Sequence, residues 1–174
     1  EGVVAISDDG ASVDDPDVLL KAMRKAREQK MPVICHCEDR SQSAGGVMNL
    51  GAISTRLGLR GISNESEYRR IQRDLSLAEK AKCGVHIAHV SCAESVELIA
   101  RAKKRGVKVT CETAPHYFSL TEEAVLDYDT NKKMNPPLRS SKDRDAIRQG
   151  LITGVIDVIA SDHAPHTISE KEIE

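Results

Sequence analysis

Val155-Ile156-Asp157-Val158-Ile159-Ala160-Ser161-Asp162-His163-Ala164-Pro165-His166 is the stretch on which the reading of this chain turns. An apolar, strand-like run ends in a carboxylate and two imidazoles. In parallel α/β folds the chemistry sits at the C-terminal ends of the strands. A carboxylate with imidazoles beside it can bind a metal ion or move a proton. Two other apolar runs end the same way, Pro32-Val33-Ile34-Cys35-His36 and Val85-His86-Ile87-Ala88-His89. A fourth, Val3-Val4-Ala5-Ile6-Ser7, runs into Asp8-Asp9. Four strand ends that each offer a His or an Asp predict a metal site assembled on one face of a parallel barrel.

Working outward, strand patterns at residues 2–7, 32–36, 85–90, 107–112 and 155–160 alternate with helical patterns at 16–29, 64–82, 93–105 and 142–152. Pro16 suits the first turn of its helix. Asn64 and Glu67 have capping-box spacing, with Gly84 closing that helix. Gly106 is placed to cap the third helix. Such alternation implies right-handed crossovers and a parallel sheet. Five strands are just over half of an eight-stranded (β/α) barrel, and they could also form an open doubly wound sheet. The strand ends lack the GxGxxG and GxxxxGK phosphate loops, which weighs against nucleotide binding. The connections at 37–63 and 113–141 are long enough to expect function in them.

The chain has 174 residues and a formal net charge of -2, with aromatics at only 2%. That balance argues against a nucleic-acid footprint and against base-stacking platforms. No apolar run approaches the roughly 18–20 residues that cross a bilayer. Cys35, Cys37, Cys83, Cys92 and Cys111 form no CxxC pair and sit in or beside apolar segments. They read as buried free thiols of a cytoplasmic protein. The chain opens at Glu1 and enters a strand almost at once, so an internal fragment of a longer protein is expected.

At the residue level several readings stay open. His36 and His89 are metal ligands or structural hydrogen bonders, and their pairing with Asp9 and Asp162 favours ligation. His86, three residues before His89, faces the other side of its strand and reads as structural or supporting. Asp8 and Asp9 point in different directions, and Asp-Asp-Gly is equally ordinary turn chemistry. Asp162 can ligate a metal or carry a proton. His163 or His166 can donate to a substrate carboxylate or carbonyl. Asn135, in Lys133-Met134-Asn135-Pro136-Pro137-Leu138-Arg139, offers the donor and acceptor that suit an amide or imide edge, in what is otherwise an ordinary stiff loop.

Taken together, Ala5-Ile6-Ser7-Asp8-Asp9-Gly10, His36-Cys37-Glu38-Asp39, His89-Val90-Ser91, Glu112-Thr113-Ala114-Pro115-His116, Lys133–Arg139 and Ala160–His166 resemble the dihydroorotases of the longer bacterial type, in the amidohydrolase superfamily. The resemblance covers essentially the whole chain. It implies an α/β fold that is part of a TIM-like (β/α)8 metal-dependent hydrolase barrel, about strands four to eight. Residues 1–174 would lie within a single barrel domain, with N-terminal strands and a C-terminal remainder outside them. The implied activity is the reversible hydrolysis of dihydroorotate to N-carbamoyl-aspartate in pyrimidine synthesis. Asp9 would be the metal-bridging carboxylate, a role filled in many relatives by a carbamylated lysine that does not follow this strand. His36 and His89 would ligate the second metal. Asp162 would ligate the first metal and act as general acid/base. Asn135 and His166 would contact the ring and its carboxylate. The implied cofactor is Zn2+, one or two ions per site.

The family's first-strand motif His-x-His-x-Arg has no match here. The expectation is therefore that these residues alone are inactive and bind metal weakly. The resemblance also implies a homo-oligomer, with aspartate carbamoyltransferase as a candidate partner. Two rival readings remain. One is another cyclic-amide hydrolase, a hydantoinase, dihydropyrimidinase or allantoinase, against which Asp-Asp-Gly and Met134–Pro137 speak. The other is a non-catalytic homologue that scaffolds the carbamoyltransferase, against which the intact ligand set speaks.

Overall fold

The computed structural model describes residues 2–172. Five parallel strands form one sheet in the order β1 (Ile6–Ser7), β2 (Val33–Cys35), β5 (Val85–Ile87), β6 (Val109–Thr113) and β7 (Val158–Ile159). The order follows the chain without reversal. The long helices α1 (Pro16–Glu28), α4 (Glu65–Ala81), α5 (Ala93–Lys104) and α7 (Ser141–Ile152) pack in sequence against one another. A doubly wound sheet reverses its strand order and carries helices on both faces. Here they line one face, which is the architecture of a barrel wall.

Strand alternation explains the two faces. Val33, Cys35, Val85, Ile87, Val109 and Cys111 are buried against Leu19, Met23, Ile71, Leu75, Ile99 and Ile147 of the helices. Each such aliphatic side chain contributes about 1.5–3 kcal/mol on burial. The alternate positions Ile34, His86 and Thr110 are register partners on the opposite face. There His86 bonds Thr110 Oγ1 through Nδ1 (2.8 Å) and Glu112 through Nε2 (3.1 Å). His86 thus belongs to a polar floor of the wall's inner face.

Local signals decide the helix ends. Asp15 caps α1, accepting from the Asp17 and Val18 N–H groups, and Pro16 occupies the first turn. The α4 start differs from expectation. Asn64 makes no side-chain cap; its amide donates to Glu94 (3.1 Å) and Asp143 (3.2 Å) on the neighbouring helices. Glu67 turns into the core instead of back to Asn64, because unpaired N–H groups of a neighbouring turn wait there. The same helix ends on Lys82 in the left-handed region (φ 54°), two residues before Gly84. Gly106 lies just beyond the α5 cap with φ 84°, as its position suggested.

The long connections are not bare loops. The first holds α2 (Arg40–Ser43), α3 (Ala52–Leu57) and a small parallel ladder of β3 (Met48–Asn49) with β4 (Gly61–Ile62). The second holds α6 (Pro115–Ser119) and two 3-10 turns, Glu122–Val125 and Thr130–Lys132. In the ladder, a Cβ on Gly61 would lie 2.4 Å from Leu50 Cα. Gly61→Ala must therefore push the two strands apart. It is expected to cost about 1–3 kcal/mol in denaturant unfolding, the usual range for overpacking.

All five cysteines are buried free thiols. Burial pushes Cys35, Cys37 and Cys92 well up and Cys111 to about 12. Thiolate is the reactive form. Peptide mapping after alkylation near neutral pH is expected to find these five unlabelled in the native protein and labelled after unfolding.

Candidate metal centre

The site is built from the turns that follow the strands. After β1 the two aspartates divide their work. Asp8 accepts from the backbone N–H of His36 (2.8 Å, Oδ1) and of Val13 (3.1 Å, Oδ2), closing the turn onto the end of β2. Asp9 is left free to face the cleft. The turn chemistry thus falls to Asp8, and Asp9 is the one placed towards the histidines. Ser12 strengthens the junction: its hydroxyl donates to the His36 carbonyl and accepts from the Glu38 N–H (2.9 Å).

His36 follows β2 directly and His89 lies two residues past β5. His36 Nδ1 and His89 Nε2 meet at 2.7 Å, with the rings edge to face. One donor atom from each of Asp9, His36 and His89 lies within 4.8 Å of the others. Both imidazoles are buried and Asp9 is exposed. Burial, and then the adjacent His36, hold His89 below the ordinary imidazole range, so its neutral, ligating form is favoured. Two imidazole nitrogens and a carboxylate oxygen are the donors that zinc and similar divalent ions take. At Zn–N bonds of about 2.0–2.1 Å, a small parting of the two rings would admit an ion between them, so the residues fit the group.

Glu38 is the residue that sequence reading quoted but gave no role. Its carboxylate meets His36 Nε2 at 3.2 Å and accepts from Asn135 Nδ2 at 3.2 Å. The hydrogen bond from His36 is the main cause that lowers its pKa to about 2; Ser43 and Asn135 add to this against the cost of burial. A carboxylate on the far nitrogen of a ligating imidazole fixes its tautomer and orientation. The hint lay in the closeness of the two residues just past the strand, where the Glu38 N–H turns back onto the His36 carbonyl (3.1 Å).

All the residues singled out from sequence, Asp9, His36, His89, Asn135, Asp162 and His166, line one cleft of about 550 Å³. The structure draws only the first three into a tight donor group. Asp162 stands on the cleft wall, in the left-handed region at φ 50°. Its charge still reaches both His89 and His116, where it works to raise their pKa values. His89 too is left-handed, at φ 35°. Non-glycine residues in that region are strained, and such strain gathers at functional sites. His163 and His166 are exposed in the same cleft.

His116, whose role the sequence left open, also lines the cleft. Its Nε2 is buried without a hydrogen-bond partner among the described residues, and burial lowers its pKa. Buried polar atoms in proteins are nearly always partnered, so this nitrogen is free to bond a water, an ion or a ligand in the cleft. Next to it, Tyr117 donates to the Pro136 carbonyl (2.7 Å) and anchors the Asn135 loop.

Residues 1–95 match the family described as Dihydro-orotase-like. The chain is 56% identical over 173 residues to the dihydroorotase of Pelotomaculum thermopropionicum, covering 99% of this chain and 40% of that one. It is 53% identical to the dihydroorotase of Desulforapulum autotrophicum, covering 99% and 41%. The chain thus spans about 40% of the length of these curated relatives. Among solved structures, it superposes on an L-hydantoinase (dihydropyrimidinase) from Arthrobacter aurescens with TM-score 0.79 at 26% identity, covering 97% of this chain and 38% of that one. A dihydropyrimidinase from Brevibacillus agri gives TM-score 0.75 at 27% identity, with 95% and 37% covered. The fold is therefore part of a larger barrel, of which this chain matches a little over a third in these solved structures. With more than half its length matching the family and its whole length following dihydroorotases, the chain belongs to the dihydroorotase-like family.

Proposed function

We propose that this chain supplies part of the active site of a dihydroorotase, which opens the cyclic amide of (S)-dihydroorotate to N-carbamoyl-L-aspartate and closes it again. The observation that carries the reading is the convergence of Asp9, His36 and His89 at strand ends, in one cleft with Asp162 and Asn135. Asp9, His36 and His89 would hold a divalent ion, zinc by donor chemistry, with Asp162 at its edge; the resemblance implies one or two ions. When bound, such an ion lowers the pKa of water and polarises a carbonyl.

The chain's own residues do the rest. Asp162 takes the proton of the attacking water and delivers it to the ring nitrogen as the amide bond breaks. In ring closure the same carboxylate works in reverse. Asn135 and His166 hold the ring and its carboxylate. Glu38 keeps Asn135 and His36 in register through its two hydrogen bonds. The exposed apolar residues at the two edges of the sheet, Val3 and Val4 in the segment leading into β1 and Val158 and Ile159 in β7, are where further barrel strands would pack on this reading. Residues 1–174 alone would be inactive on this reading, because ligands from those strands are needed. A homo-oligomer, a cytoplasmic setting and an aspartate carbamoyltransferase partner belong to the same proposal. Among the described residues no helix is long and apolar enough to cross a membrane.

The likeness to hydantoinases and dihydropyrimidinases keeps a second reading in view, hydrolysis of another cyclic amide. Turnover of dihydroorotate, dihydrouracil, hydantoin and allantoin by the full-length protein separates the two. The expected result is the highest kcat/KM for dihydroorotate. A preference for any of the others would replace the proposal.

A further inference from the structure

His89 holds its left-handed backbone immediately before a turn that a distant helix clamps. Glu67, on α4, sends Oε1 to the N–H groups of Ser91 (3.0 Å) and Cys92 (3.3 Å), and Oε2 accepts from the Ser91 hydroxyl. Cys92 is the N-cap of α5 and makes no side-chain cap of its own. A carboxylate from another helix satisfies those amides, at the end of a helix where negative charge is favoured. Arg139, four residues after Asn135, closes the group. Its Nε donates to Ser91 Oγ (3.1 Å) and its Nη1 to Asn49 Oδ1 (3.0 Å) and the Ile62 carbonyl (2.8 Å). Its Nη2 lies 3.7 Å from Glu67 Oε2. Glu67 and Arg139 are each 3% exposed, so the pair is sealed from water and must balance its own charge.

The structure assigns Glu67 a positioning role: with Arg139 it joins the turn that carries His89 to the loop that carries Asn135, so that one buried ion pair sets both a metal donor and a ring-contacting residue. This rests on the reading of the site given above. The two jobs use different properties of the carboxylate. Clamping the turn needs an acceptor oxygen facing two N–H groups. Holding the loop needs the negative charge opposite Arg139.

That division defines the test, made on the full-length protein. Zinc affinity is read on the apoprotein by competition with a chromophoric chelator, and KM and kcat for dihydroorotate are read on the zinc-loaded protein. Glu67→Ala loses both functions. It is expected to weaken zinc binding by about 10–100-fold, as removal of a residue supporting a ligand does, and to raise KM. Glu67→Gln keeps the acceptor and loses the charge, so zinc affinity is expected to return towards wild type while KM stays raised. If Glu67→Ala does not fold, Ser91→Ala removes only the hydroxyl between the two ionic groups. It is expected to shift zinc affinity and KM in the same directions by less. Unchanged zinc affinity in folded Glu67→Ala or Ser91→Ala overturns the proposal, as does a Gln variant in which zinc affinity falls and KM rises together in step with lost stability. A wild-type protein that takes up no zinc overturns the reading of the site itself, and this proposal with it.

Discussion

Replacing Asp162 with asparagine in the full-length protein is expected to lower kcat for dihydroorotate ring opening by about 10²–10⁴-fold, the range that a positioned general acid/base supplies. The substitution keeps size and polarity and removes the ability to hold a proton. Asp162 lines the cleft with Asp9, His36 and His89 but lies outside their tight donor group. Its loss should therefore strike proton transfer harder than metal uptake. The carboxylate is close enough to both His89 and His116 to act on them electrostatically, raising their pKa values against the effect of burial. Steady-state kinetics at matched zinc content check this. A fall in kcat with KM little changed supports the role, and an Asp162→Asn protein within tenfold of wild type removes it.

The second large effect is on metal uptake. His89→Ala is expected to weaken zinc binding by more than about 100-fold, beyond what residues supporting a ligand contribute. His89 Nε2 is one of only two imidazole donors in the group, and its ring is buried against His36 at 2.7 Å. Truncation removes a donor and opens the pocket to water. Asp9→Asn should cost less, because Asp9 is exposed and its amide retains an oxygen. Metal content after dialysis against a chelator ranks the variants. A His89→Ala protein that retains full zinc would exclude His89 as a ligand.

The barrel wall was legible because each strand buries one face against helices. Val33 and Cys35, Val85 and Ile87, and Val109 and Cys111 occupy alternate positions, which is the period that sequence displays. The outer strand β7 came out shorter than its apolar run, covering only Val158–Ile159. Asp157 within that run is taken up by Lys103 and the Cys111 N–H. The strand-end residues Asp9, His36, His89 and Asp162 were also legible, since a polar residue after an apolar run announces itself. What sequence could not show is where side chains go when their partners are remote. Asn64 and Glu67 have the spacing of a cap, yet Glu67 is claimed by Ser91, 24 residues away, and Asn64 by Glu94 and Asp143. Arg139 looked like the end of a loop and is an anchor, buried against Ser91, Asn49 and Ile62. Glu38 lay in view, but its tie to Asn135 spans 97 positions. Local pattern carries no record of such contacts.

The most direct test of the central claim is an anomalous difference map recorded at the zinc edge from crystals of the full-length protein. The account predicts a peak bonded to His36 Nδ1, His89 Nε2 and an Asp9 carboxylate oxygen, with Asp162 beside it. A map with no peak among these residues, or with zinc held only elsewhere in the protein, would contradict it.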